Sequence, residues 1–121
     1  QISRGETIED TARIMGRFLH GIVIRTFGQD IVETFAKYSG LPVVNALTDL
    51  LHPCQSYTDM FTMMEYFSKG TPSVESLKGK KFVFFGDTAC NMAYSLALAG
   101  SMFGVEVVLC GPEEFKPSQA V

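Results

Sequence analysis

Apolar positions along the chain fall into four stretches of helical period, separated by short apolar runs of strand type. From residue 6 to 19, Ile8, Ala12, Met15, Phe18 and Leu19 recur at helical spacing, with Thr7 as a candidate cap and Gly21 as the stop. Residues 29–39 repeat the pattern with Ile31, Val32, Phe35 and Ala36 on one face, and Gly40 ends it. A third helix over residues 53–67 carries Tyr57, Met60, Phe61, Met64 and Phe67, a stripe that reads as core. A fourth covers residues 89–103. Between them, residues 22–24 (ending at Arg25), 41–47 (with Pro42 at the entry), 82–85 and 105–109 are continuous apolar runs without strict alternation. Such strands belong to parallel sheets covered on both faces, so the expected class is α/β, parallel sheets flanked by helices. Residues 68–79, with Gly70, Thr71, Pro72 and Ser73, are the most loop-like stretch and a candidate domain boundary. Two partial α/β units are expected on either side of it, joined by the bridging helix that begins at Pro53.

Composition narrows the function. The 121 residues are 46% hydrophobic and 19% charged, which fits a soluble globular protein with a real core. A formal net charge of -3 with scattered Lys and Arg leaves no basic footprint, so no nucleic acid and no membrane surface is expected as a partner. The longest apolar runs are too short to span a bilayer. Cys54, Cys90 and Cys110 are widely spaced, and the two His form no ligand cluster with them. That speaks against a disulfide scaffold and a zinc site, and suits a reducing, cytoplasmic setting. All three read most simply as buried thiols; Cys54, beside His52, has no orienting carboxylate that would make it a nucleophile. The chain starts at Gln1 and ends after Pro117 with no helix to close its last strand, so a fragment or a processed chain is expected.

The candidate chemistry sits at the carboxyl ends of the strands, where ligands of open α/β sheets bind. Arg25 closes the first strand, His52-Pro53-Cys54-Gln55 comes after the second, and Gly86-Asp87 through Asn91 after the third. Pro53 suits the first position of a helix and keeps the residue before it out of helical conformation, which places His52 at a helix mouth. There the free N–H groups and the dipole favour an anionic or carbonyl-bearing ligand, and Gln55 could offer its amide to the same ligand. The competing account is that His52 merely caps the helix. An Arg, a His, a Gln and an Asn are donors for a carbonyl and an anion, not a carboxylate pair for acid–base work. Asp87 is expected to orient the turn after its strand, and His20 to be a dipole-favoured residue at the end of the first helix.

Four stretches in order, Gly5-Glu6-Thr7-Ile8-Glu9-Asp10-Thr11-Ala12-Arg13, Gly21-Ile22-Val23-Ile24-Arg25, Asn45-Ala46-Leu47-Thr48-Asp49-Leu50-Leu51-His52-Pro53-Cys54-Gln55 and Gly86-Asp87-x-x-x-Asn91, resemble the middle of the ornithine carbamoyltransferase family, within the aspartate/ornithine carbamoyltransferase superfamily. The resemblance implies parts of two Rossmann-like domains: residues 1–69 as the C-terminal part of a carbamoyl-phosphate-binding domain plus the bridging helix, and 70–121 as the N-terminal part of an ornithine-binding domain. It implies transfer of a carbamoyl group from carbamoyl phosphate to the side-chain amine of L-ornithine, giving citrulline and phosphate, with no cofactor and no metal. By the same resemblance Arg25 and His52 are the catalytic pair, Arg25, His52 and Gln55 bind carbamoyl phosphate, and Asn91 binds ornithine. A homotrimer or a multiple of trimers is implied, with Arg4 reaching a neighbouring subunit's site; the compartment is the cytoplasm, or the mitochondrial matrix in a eukaryote.

Departures from the pattern set further expectations. The family's phosphate-anchoring Ser-x-Arg-Thr loop and its Ser-Met-Gly and His-Cys-Leu-Pro elements are not in this sequence, so these 121 residues alone are expected to show negligible activity. Cys90 stands where the family usually has Asn. Leu47-Thr48-Asp49-Leu50 before the His-Pro favours ornithine over aspartate as acceptor, while putrescine stays open. Two other classes compete: a dinucleotide-binding module, which would need a Gly-x-Gly-x-x-Gly turn where Gly86 is followed by Asp87, and a non-catalytic α/β binding module.

Overall fold

The structure, a computed structural model, describes residues 5–117. The chain forms two compact units that divide between Asp49 and Leu50.

In the first unit, helix α1 (Ile8–Met15) starts where expected: Thr7 is its cap, its Oγ1 accepting from the Asp10 N–H at 3.2 Å. The helix stops at Met15, earlier than the hydrophobic period suggests, and Phe18 is 76% exposed. The reason is tertiary. Gly16 lies against the end of the next helix, where a Cβ would come within 2.1 Å of the Ser39 carbonyl oxygen, so the turn at Gly16 is set by helix packing. His20 consequently lies beyond the helix, exposed, and not at its C-terminus. Strand β1 (Ile22–Arg25), helix α2 (Gln29–Ser39) and strand β2 (Val43–Leu47) come next as a βαβ unit with parallel pairing, Ile22 opposite Val43 and Val23 opposite Val44. Helix α2 buries Val32, Phe35 and Ser39 and ends at Gly40, whose φ of 68° is the left-handed conformation that glycine adopts without strain.

The second unit begins with helix α3 (Pro53–Ser68) and continues through strand β3 (Lys81–Phe85), helix α4 (Asn91–Phe103) and strand β4 (Glu106–Cys110). The strands pair in parallel without slippage, from Lys81 opposite Glu106 to Phe85 opposite Cys110. Its core is Met60, Met64, Leu77, Leu96, Ala99 and Val105, with Phe82, Phe84, Phe103 and Val107 packed around it. On α3 the buried line is Ser56, Met60 and Met64, while Tyr57, Phe61 and Phe67 of the expected core stripe are partly exposed, at 42%, 50% and 37%. The loop expected over residues 68–79 contains a 3-10 turn, Val74–Leu77, and its Leu77 is fully buried in that core. Helix α3 therefore packs with the C-terminal elements of the chain, whereas the division expected from sequence groups residues up to 69 with the N-terminal ones.

The α/β class with parallel strands is as expected. Coverage on both faces is not seen within the described residues: burial alternates along β1 and β3, and Val23, Val44, Val83 and Phe85 are exposed. Cys54 and Cys90 are half-buried and Cys110 is exposed, so the three are not the buried thiols expected; none is in a disulfide. No helix among the described residues is long and apolar enough to cross a membrane, and no group of three or more His, Cys, Asp and Glu among them is placed to hold a metal ion.

Candidate functional site

Arg25 is the last residue of β1, and the strand irregularity falls on it. Pairing runs in step from Ile22 to Ile24 opposite Val43 to Asn45, then jumps so that Arg25 faces Leu47 and skips Ala46. An extra residue on one strand twists the ladder and re-aims the side chain there, a device common beside active sites. Backbone bonds continue beyond it: Thr26 N–H donates to Leu47 O at 3.1 Å and Asp49 N–H to Phe27 O at 2.7 Å. The guanidinium is exposed, and among the described residues no carboxylate pairs with it. A cation set on a fixed backbone and not spent on a protein anion is available to an anionic ligand.

Beneath that tip lies a polar cluster that the sequence pattern does not single out. Thr48 is fully buried; its hydroxyl donates to Gln29 Oε1 at 2.7 Å, and the Asn45 Nδ2 donates to the same oxygen at 3.2 Å. The first residue of α2 is thus tied to the end of β2 and the loop after it, which fixes the carboxyl end of the sheet.

His52 holds the mouth of α3. Pro53 is the first helical residue, and His52 is the cap, its Nδ1 accepting from the Gln55 N–H at 3.4 Å. Capping and ligand binding, the two accounts open at the sequence level, are compatible in one residue. With Nδ1 accepting, a neutral ring carries its proton on Nε2, which can then act as a donor. Gln55 is exposed, and its amide Nε2 donates to Asp59 Oδ1 at 2.9 Å along the helix. Asn91 is the first residue of α4 and half-buried. The loop before it is held by Asp87, whose Oδ1 accepts from Ala89 N–H at 2.9 Å, the orienting role expected of it, and by the buried Thr88, whose hydroxyl donates to Phe115 O.

His52, Gln55 and Asn91 therefore belong to one compact unit and Arg25 to the other. Arg4 lies outside the described residues. Within the second unit the link between the mouths of α3 and α4 is Ser95, 3% exposed: its Oγ accepts from His52 N–H at 2.7 Å and donates to Asn91 O at 2.6 Å. Beside these bonds is a cavity of about 210 Å³ between the two helices, lined by Leu51, Pro53, Ser95, Leu98 and Met102 among others, and almost wholly apolar. No sequence signal marks Ser95; a serine in a helix interior resembles any other.

Parallel α/β units with donors at their strand tips are a class of ligand-binding domain, and comparison with known proteins specifies it. The family model for the aspartate/ornithine carbamoyltransferase carbamoyl-phosphate-binding domain matches residues 1–65, and the chain belongs to that family of carbamoyltransferases. Ornithine carbamoyltransferase of Geobacter sulfurreducens is 46% identical over 121 residues, all of this chain and 37% of that protein, and that of Thermotoga maritima is 47% identical over 116 residues, covering 96% and 35%. Among solved structures, ornithine carbamoyltransferase from Pyrococcus furiosus matches with a TM-score of 0.84 at 42% identity, over 99% of this chain and 36% of that one. The chain thus spans a little over a third of the length of the relatives it matches.

Proposed function

We propose that this chain supplies part of an ornithine carbamoyltransferase that moves the carbamoyl group of carbamoyl phosphate to the side-chain amine of L-ornithine, releasing citrulline and phosphate. The observation that carries this reading is the imidazole of His52, held by its Nδ1 on the α3 cap so that Nε2 is the donor. When an amine attacks the carbamoyl carbon, negative charge grows on the carbonyl oxygen. A fixed N–H aimed there strengthens as charge develops, and so lowers the barrier rather than merely binding substrate. Arg25 meets the phosphate and the developing charge of the same molecule, and its exposure, with no carboxylate paired to it among the described residues, supports that role. Gln55 holds the carbamoyl end, exchanging its bond to Asp59 for one to the ligand. Asn91 receives the amino-acid portion of ornithine. The nucleophile comes with the substrate, so no activated Ser or Cys is required.

In this reading residues 1–69 serve carbamoyl phosphate and 70–121 serve ornithine, which the match of the carbamoyl-phosphate-binding model as far as residue 65 supports. The assembly is a homotrimer or a multiple of one, working in the cytoplasm or mitochondrial matrix within arginine metabolism. The test is an assay of the full-length protein carrying this segment, with carbamoyl phosphate and, in turn, ornithine, putrescine and aspartate. Citrulline forms with ornithine at the highest kcat/KM. A higher kcat/KM with putrescine would reassign the acceptor, and no carbamoylated product with any amine would sink the reading.

A further inference from the structure

We propose that Ser95 is a positioning residue shared by the two halves of the reaction, setting the carbamoyl-side histidine and the amine-side asparagine through one hydroxyl; the assignment rests on the carbamoyl-transfer reading above. Ser95 Oγ has a single proton, and that proton is committed to Asn91 O at 2.6 Å. Toward His52 it can only accept, and the His52 N–H reaches it at 2.7 Å across 43 residues of sequence. A serine bonded to the carbonyl four residues back is ordinary within a helix. Accepting a backbone N–H from the cap of another helix is not ordinary: it locks the φ,ψ of the residue whose ring must be aimed. His52 N–H belongs to the cap itself, and its ring Nδ1 accepts from Gln55 N–H, so backbone and ring are both tied at the cap.

Ser95 is 3% exposed, and the neighbouring cavity presents almost no polar surface with which a water could replace the lost hydroxyl. The cavity also gives a methyl group somewhere to go, so threonine can keep both hydrogen bonds where alanine keeps neither.

The experiment compares Ser95→Ala, Ser95→Thr and Ser101→Ala with the wild type in the full-length protein, well below their melting temperatures, reading kcat and the KM of each substrate. Ser101 makes only the local bond to Leu98 O and is the control for losing a helix hydroxyl as such. For Ser95→Ala we expect kcat to fall about tenfold, the effect of one buried hydrogen bond, together with a severalfold rise in the KM for ornithine. Ser95→Thr restores both to within about twofold, and Ser101→Ala leaves them unchanged. If Ser95→Ala does not fold, Ser95→Cys, close in shape but a weaker acceptor, carries the test, with a kcat loss of about threefold or more supporting the assignment. An active wild type with a folded Ser95→Ala, or failing that Ser95→Cys, of unchanged kcat and ornithine KM overturns the assignment alone, as does Ser95→Thr no better than alanine. A wild type that forms no citrulline overturns the carbamoyl-transfer reading, and this assignment with it.

Discussion

The two strand-tip clusters are built on opposite plans. At the first, the charged group is exposed and hangs from a backbone irregularity, while the polar bonds that fix the tip, among Gln29, Asn45 and Thr48, lie behind it and do not touch the guanidinium. At the second, the proposed donor ring is itself a structural part: His52 is half-buried, caps α3, and is bonded through its backbone to a buried serine of α4. A group that carries no packing can be selected for ligand alone. A group that also caps a helix couples its aim to the stability of its unit, so function and fold should separate cleanly in the first cluster and only with the right substitution in the second.

The largest effect is expected at His52. Replacing it by Ala removes the donor and the cap together, lowering kcat on the order of 10²-fold or more and costing about 1 kcal/mol of stability. His52→Asn isolates the two roles, since Asn is among the best helix caps but does not place a donor where Nε2 lies. It should unfold at the wild-type denaturant midpoint while showing the same loss of kcat as Ala. If Asn were as active as His, the ring would be a cap and nothing more.

Arg25→Ala should lower kcat/KM for carbamoyl phosphate on the order of 10²-fold while moving stability by less than about 0.5 kcal/mol, as for surface changes away from packing. A marked fall in melting temperature would show that the exposed side chain carries structure after all, and the contrast between the clusters would fail.

The opposite signature is expected at Thr48, directly behind that tip. Thr48→Val keeps the shape but removes the 2.7 Å bond to Gln29 Oε1, which keeps its 3.2 Å bond from Asn45 Nδ2, at a cost of about 0.5–1.5 kcal/mol in urea unfolding. Any effect on turnover would come through movement of the β2 end, and should be smaller than that of Arg25→Ala.

How much of this was legible in the sequence depended on whether the cause was local. Thr7, Pro53 and Gly40 mark helix ends through their own side chains or their own φ, and the structure places those ends where the sequence did. The end of α1 was missed because Gly16 matters only through the Ser39 backbone beside it, and periodicity continues past it to Phe18 and Leu19. Leu77 was hidden in a Pro- and Gly-containing stretch whose composition says loop while one side chain fills the core. Strand-end donors were visible as a pattern of residue types just after apolar runs. The register jump that skips Ala46 opposite Arg25 and the Ser95 bond to His52 rest on strand pairing and on a contact between distant residues, and neither leaves a mark on spacing.

The smallest effect is expected at the other end of the second sheet, and it sharpens the same contrast. Lys81 Nζ and Glu106 Oε1 lie 3.0 Å apart where β3 and β4 begin, opposite one another in the register. Both side chains are more than half exposed, so solvent screens the pair and the entropy of holding two long side chains offsets much of the attraction. Lys81→Ala should therefore cost no more than about 0.5 kcal/mol, and less still in high salt. The strand register is fixed instead by Phe82, Phe84 and Val107 packed against the core, where a one-residue slip would turn each of them to solvent. A loss well above about 1 kcal/mol in urea unfolding would mean that charge, not packing, sets the register that delivers Gly86 and Asp87 to the start of α4.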